Sequence, residues 1–260
     1  GGLGEKTASL TLNRATDSYR QPGSSFKPLA AYGPALDTGA ITLSTVIKDE
    51  PYNYADGTPV RNSDGRYHGD VTVREALVHS YNVPAVKVLT EITPETGYEY
   101  LTKFRFSNLL PSESTHQSIA LGGLTNGVSN LELTGAYAAI ANGGRYIEPV
   151  LYTKVTDSDG NILLDNTNRQ STQVFRESTA YLLTNVMEDV VKRGTATDCQ
   201  LDNMAVAGKT GTTNDYTNLV FAGFTPYYTA AIWTGYDIQA EMPSSNRSFH
   251  RALWQKVMGR

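Results

Sequence analysis

The feature that most restricts how this chain folds is Arg20-Gln21-Pro22-Gly23-Ser24-Ser25-Phe26-Lys27-Pro28, where two prolines bracket a glycine, two hydroxyls and an amine. Pro22-Gly23 interrupts whatever precedes it. Pro28 is compatible with a helix only if that helix has just begun, because a proline farther in removes a backbone hydrogen bond. The apolar residues Phe26, Leu29, Ala30, Tyr32, Ala35 and Leu36 then recur at helical spacing. The stretch therefore predicts a helix over 24 to 36 with Ser24 at its N-cap and a stop near Asp37-Thr38-Gly39. Residues three apart share a helix face, which would let Ser24 and Lys27 meet. A serine hydroxyl becomes an effective nucleophile when a neighbour takes its proton, and an unprotonated lysine amine is able to do so. Ser24 is the candidate nucleophile and Lys27 its candidate base. Average composition gives roughly one Ser-x-x-Lys by chance in a chain of this size, so alone the pair reads as a capping serine beside a solvated lysine.

At 260 residues the chain is long enough for a full core, as one large domain or a domain with two lobes. The 22 basic and 26 acidic side chains are mixed without a basic run and leave a net charge of −4, which argues against nucleic acid or an anionic membrane as the main partner. A small or peptide-like partner fits better. One cysteine, Cys199, forbids an internal disulfide, and His68, His79, His116 and His250 show no ligand spacing, so a zinc enzyme is not expected. No apolar run is long enough to span a bilayer and no signal peptide is evident. The opening Gly1-Gly2-Leu3-Gly4-Glu5-Lys6 reads as a loop leaving something earlier, and residues 7 to 20 as a polar, Thr-rich surface stretch.

Beyond the first helix, residues 48 to 70 are rich in Asp, Asn, Gly and Tyr and read as loop or short hairpin. Thr72-Val73-Arg74-Glu75 is a capping box, Pro84 suits a first helical position, and Thr93-Pro94-Glu95 opens another helix. Ser129-Asn130-Leu131-Glu132 is a second capping box, with a stop at Asn142-Gly143-Gly144. Residues 70 to 142 thus predict a mostly helical block. Alternation over 150 to 155 and 162 to 164 around a Ser158-Asp159-Gly160 turn predicts a hairpin. A helix over 177 to 193 follows, with Leu182, Leu183, Val186, Met187, Val190 and Val191 on one stripe. The tail reads as a meander, with strands from 204 to 212, 219 to 225 and 228 to 236, and a last helix over 249 to 258. This is an α+β plan with a helical insertion.

Two further motifs carry polar chemistry. Ser80-Tyr81-Asn82 falls between two helices, where a loop holds polar groups over a buried block, although an ordinary turn has the same wording. Lys209-Thr210-Gly211-Thr212 ends a strand in which two glycines flank a lysine, as if something approaches the backbone closely; the plain alternative is a lysine guarding an edge strand. In order, Ser-x-x-Lys, Ser-x-Asn and Lys-Thr-Gly form the motif set of serine β-lactamases and penicillin-binding proteins. The surrounding wording resembles the transpeptidase domain of bifunctional, class A penicillin-binding proteins. It includes Asn13-Arg14-Ala15-Thr16 leading into Arg20–Pro28, Val73-Arg74-Glu75-Ala76-Leu77, Asn82-Val83-Pro84-Ala85, Leu131-Glu132-Leu133-Thr134-Gly135-Ala136-Tyr137, and Gly208-Lys209-Thr210-Gly211-Thr212-Thr213-Asn214-Asp215. The likeness runs from about residue 12 to 258. It departs at the start, because the family's sheet begins with two strands upstream of Asn13 that this sequence lacks.

The resemblance implies an antiparallel sheet flanked by helices, a helical subdomain, and one transpeptidase domain over 1 to 260. It implies that Ser24 attacks a D-Ala-D-Ala stem peptide, expels the last D-Ala and passes the acyl group to a neighbouring amine, cross-linking peptidoglycan. Lys27 would deprotonate Ser24, which requires a low pKa that burial and a nearby Lys209 would favour. Ser80 would pass a proton to the leaving nitrogen and Asn82 would orient Lys27 and the substrate amide. Lys209, Thr210 and Thr212 would hold the terminal carboxylate, and Gly211 would keep the strand open. The backbone N–H groups of Ser24 and Thr212 would form the oxyanion hole. Implied partners are stem peptides on lipid-linked or polymeric glycan and β-lactam antibiotics, with no cofactor, no metal and no nucleic acid. The implied location is the extracytoplasmic face of a bacterial plasma membrane, reached through an N-terminal anchor outside this sequence. Water as acceptor, giving a D,D-carboxypeptidase or β-lactamase, and a β-lactam sensor domain remain as alternatives.

Overall fold

The computed structural model describes residues 11–259, so the opening loop over Gly1–Lys6 and the start of the polar stretch after it lie outside the described residues. Its helices are α1 (Gly33–Thr38), α2 (Val73–Val78), α3 (Asn82–Ile92), α4 (Pro94–Lys103), α5 (Asn130–Ala141), α6 (Glu177–Arg193) and α7 (Phe249–Met258). The main sheet is antiparallel, with strands Ala207–Thr212, Asn218–Phe224 and Thr229–Gly235 in that order. Its register pairs Lys209 with Ala222 and Ala222 with Ala231.

Strand alternation gives the sheet two apolar faces. Val220, Ala222 and Phe224 point into the large core shared with Phe26, Leu29, Leu77, Val83, Tyr137 and Leu183. Phe221 points the other way, into a smaller core with Val190, Val191, Cys199 and Trp254. Its ring meets Trp254 edge-on at 5.0 Å between centroids. The central strand is buried along its whole length, which explains why it reads as a continuous apolar run.

The first predicted helix exists but is not one regular helix. Residues Gly23–Phe26 form a 3₁₀ turn, Pro28–Tyr32 a π turn closed by the Gly33 N–H on Pro28 O, and only then does α1 begin. Pro34 is the reason: it has no N–H to give to Ala30, and its ring would clash with that carbonyl in a regular α-helix, so the wider turn relieves the conflict. Ser24 is not the N-cap either; Pro22 occupies that position. Pro84 lies in the third position of α3 rather than the first, because Asn82 is already helical. Of the two capping boxes, Ser129 and Glu132 complete theirs in both directions. Thr72 accepts from the Glu75 N–H at 3.2 Å, but the Glu75 carboxylate is drawn to Arg193 at 2.7 and 3.1 Å instead. The first sheet strand starts at Ala207 rather than 204, because Leu201 and Met204 bridge each other across a tight turn in which Asn203 has a φ of 56°. The stretch from 48 to 70 contains short strands, Val46–Asp49 pairing with Gly69–Thr72 and Tyr52–Asn53 with Pro59–Val60.

Candidate active site

The turn carrying Ser24 is pressed against the end of the Lys209 strand, and glycines make the approach possible. Gly23 has a φ of +57°, and a Cβ there would lie 2.7 Å from Thr212 O. A Cβ on Gly211 would lie 2.1 Å from Pro22 O. The expectation that something approaches this strand closely is thus met by the Ser24 turn itself. The turn is also pinned from behind, since the Ser25 hydroxyl donates to Pro22 O at 2.7 Å and Tyr137 OH donates to Ser25 O at 2.7 Å.

Ser24 is half-buried and lines a cleft of about 420 Å³ whose walls include Tyr54, Arg61, Asn82, Ser118, Thr212 and Asn214. Among the described residues Ser24 Oγ has no hydrogen-bond partner, so the meeting of Ser24 and Lys27 expected from helix spacing does not take the form of a hydrogen bond. Lys27 lies fully buried, one turn on, and its Nζ donates to Ser80 O at 2.6 Å, Tyr81 O at 3.0 Å, Asn82 Oδ1 at 2.7 Å and Ser80 Oγ at 3.2 Å. Lys209, also fully buried, donates to the same Ser80 Oγ at 2.8 Å. One hydroxyl therefore joins two amines from segments 182 residues apart.

Ser80 reaches this position with a φ of 61°, the left-handed region that non-glycine residues seldom adopt. It sits between α2 and α3, while Asn82 is the first residue of α3 rather than a loop residue. Burial lowers the pKa of both amines. Lys27 falls well below the ordinary lysine value, through burial first and the nearby Lys209 charge second. Burial brings Lys209 down to about 7. Charged lysines this deep are costly, and donated hydrogen bonds only partly offset the loss of water.

The remaining predicted residues separate. Thr212 lines the cleft beside Ser24. Thr210 does not; its hydroxyl meets Thr195 Oγ1 at 2.8 Å and lies 3.5 Å from Lys209 Nζ, so it stands behind the lysine. Gly211 acts through its missing side chain. Lys209 is not an edge guard, since it has no exposed surface. Thr195, Tyr137 and Asn62 were not legible as site residues, because each acts on residues distant in the chain. Among the described residues no three His, Cys, Asp or Glu side chains come together as metal ligands would.

A hydroxyl on a helical turn, backed by amines and a second hydroxyl rather than by histidine, defines the serine acyl-transfer class that relies on lysine. The chain belongs to the penicillin-binding protein transpeptidase domain family, whose pattern matches residues 4–252. It is 42% identical over 241 residues to penicillin-binding protein 1F of Bacillus subtilis, covering 90% of this chain and 32% of that protein. It is 35% identical over 271 residues to penicillin-binding protein 1A of Clostridium perfringens strain 13, covering 100% of this chain and 40% of that protein. The chain thus spans well under half the length of these relatives. Among solved structures, PonA1 of Mycobacterium tuberculosis superposes with a TM-score of 0.81 at 22% identity, over 97% of this chain and 72% of that one, a likeness of fold.

Proposed function

We propose that this chain is a peptidoglycan D,D-transpeptidase unit that works through an acyl-enzyme on Ser24. The observation that carries the reading is Ser80 Oγ held between Lys27 Nζ and Lys209 Nζ behind the serine turn. Neutral Lys27 takes the Ser24 proton as Ser24 Oγ bonds to the penultimate D-Ala carbonyl carbon. The carbon–nitrogen bond then breaks, and the proton reaches the leaving D-Ala nitrogen through Ser80. An amine from a second stem peptide attacks the ester carbon and gives a proton to neutral Lys27; its carbon–nitrogen bond forms, the ester carbon–oxygen bond breaks, and Lys27 returns the proton to Ser24 Oγ.

Asn82 Oδ1 steadies Lys27 during this cycle. Thr212, on the cleft wall, receives the terminal carboxylate, the buried Lys209 charge behind it favours that anion, and Thr210 orients the Lys209 amine from behind. The backbone N–H groups of Ser24 and Thr212 serve the oxyanion, worth about 3 kcal/mol per donor in other acyl-transfer enzymes. A β-lactam imitates the dipeptide and leaves its own opened-ring ester on the same serine. The acceptor glycan places the reaction on the outer face of a bacterial plasma membrane.

The test is the intact mass before and after benzylpenicillin, followed by peptide mapping. The wild-type protein gains one penicilloyl group on the Ser24 peptide and Ser24→Ala gains none. Labelling that persists in Ser24→Ala ends the assignment. Donor and acceptor stem peptides then report cross-linking, and prompt loss of the adduct to water would redefine the enzyme as a hydrolase.

A further inference from the structure

Asn62 lies outside the three motifs, in a stretch whose Asn-Ser-Asp-Gly wording reads as a turn, yet it is 5% exposed and its amide is fully engaged. Its Oδ1 accepts from the Asn82 N–H at 2.7 Å and the Val83 N–H at 3.3 Å, satisfying two free amides at the start of α3 from another segment. Its Nδ2 donates to Asp49 Oδ2 at 2.7 Å and to Arg66 O at 2.8 Å. Asp49 is itself 1% exposed, and the same Oδ2 accepts from the His68 N–H at 3.0 Å. The neighbouring Arg61 carbonyl accepts from Asn82 Nδ2 at 2.7 Å.

Residues 61 and 62 therefore grip Asn82 at its backbone nitrogen and at its side-chain nitrogen. One amide orientation satisfies both, and it turns Oδ1 toward Lys27 Nζ. A flipped amide would set N–H groups against an amine that is already a donor and would leave the Arg61 carbonyl unpaired.

We infer that Asn62, anchored by Asp49, is a positioning residue for acyl transfer: it fixes the start of α3 and so the Asn82 side chain that holds Lys27. This rests on the acyl-transfer reading above. Asn62 acts through Asn82 and is not itself a catalytic residue. It also ties the hairpin wall of the cleft, Tyr52–Asn53 and Pro59–Val60, to the base inside it.

A double-mutant cycle tests the inference, read as the acylation rate with a fluorescent penicillin. Asn62→Ala is expected to slow acylation roughly 10- to 100-fold, because the Asn82 and Val83 N–H groups are left without their acceptor and the Asn82 side chain loses its position. In an Asn82→Ala background the same change is expected to cost less than about twofold, because both substitutions act on the rate through the Asn82 Oδ1–Lys27 Nζ contact. A similar loss in both backgrounds, or a loss under about twofold in the first, overturns the assignment. Should Asn62→Ala fail to fold, Asn62→Ser, which keeps a small polar group at the site, carries the same cycle under the same criteria.

A readout independent of β-lactam is the Lys27 titration followed by NMR at lysine Cε. Losing the Asn82 acceptor destabilises the ammonium, so the titration moves further down by the same amount in Asn62→Ala and Asn82→Ala. An unmoved titration in Asn62→Ala overturns the positioning role. If the wild-type protein takes no penicillin while the titration moves as expected, the acyl-transfer reading fails and the positioning role stands.

Discussion

Lys27 and Lys209 share Ser80 Oγ, at 3.2 and 2.8 Å, and two amines this close do not carry full charge together without cost. Burial, aided by the Lys209 charge, puts Lys27 well below an ordinary lysine, and burial leaves Lys209 at about 7. Lys27 bears the Lys209 charge against it and so loses its proton first as pH rises, which in the proposed mechanism leaves a neutral base beside a charged Lys209. Above about 7 Lys209 loses its charge as well. The sign follows: acylation of the free enzyme rises with pH through the Lys27 titration and falls through the Lys209 titration, giving a bell with its alkaline limb near 7. Stopped-flow acylation by benzylpenicillin between about pH 4 and pH 10 checks this. A rate that stays level through the alkaline side would show that Lys209 need not be charged for binding. Lys209→Met should flatten that limb and lower the rate throughout.

At the scale of elements, the site depends on how closely the serine turn lies on the strand. A Cβ at Gly211 would meet Pro22 O at 2.1 Å and Val220 Cγ1 at 2.4 Å, neither of which yields without moving the turn or the sheet. Gly211→Ala should therefore lower stability by about 1–3 kcal/mol and slow acylation by roughly 100-fold, the loss typical of a misplacement near 1 Å. Thermal unfolding and penicillin labelling together check it, and a variant that labels at the wild-type rate would mean the contact is not tight. Much of this architecture was legible. Helices α6 and α7 fall where their apolar stripes and stops predict, and Ser129-Asn130-Leu131-Glu132 announces α5 because both halves of its capping box are local. What was not legible depends on distant partners. Glu75 completes no capping box because Arg193 competes for it. The 3₁₀ and π turns follow from the clash between Pro34 and the turn before it, which apolar periodicity does not register. Asn62 and Thr195 look like turn residues until the fold brings α3 and the Lys209 strand to them.

On the scale of the whole molecule, the active site is a statement about how the helical block sits on the sheet. Ser80 lies two residues past the end of α2, and the Lys209 strand packs on α6, so the distance between Ser80 and Lys209 is set by how α2 lies on α6. Gly194 lets the two meet, since a Cβ there would fall 2.5 Å from Val78 O. A polar clamp holds them in register. Arg74 pairs with Asp189 at 2.7 Å and donates to Asn185 Oδ1 at 2.7 Å, while Arg193 bridges Glu75 at 2.7 Å and Asp189 at 3.3 Å. The Arg74 and Asp189 side chains keep 30% and 23% of their surface, so solvent screens the pair only in part. Removing Arg74 takes the partner from Asn185 Oδ1 and leaves Asp189 with Arg193 alone, and the expected cost is about 1–2 kcal/mol after screening, or roughly 2–8 °C in Tm. If the clamp sets the site, Arg74→Ala also slows acylation severalfold while Ser24 itself is untouched. Moderate salt should narrow the gap between wild type and variant, because it weakens the clamp in the wild type alone. Calorimetry and acylation rates measured across a salt series check both effects. A variant that melts early yet acylates at the wild-type rate would confine the clamp to stability and leave the Ser80–Lys209 spacing to the packing of Gly194 against Val78.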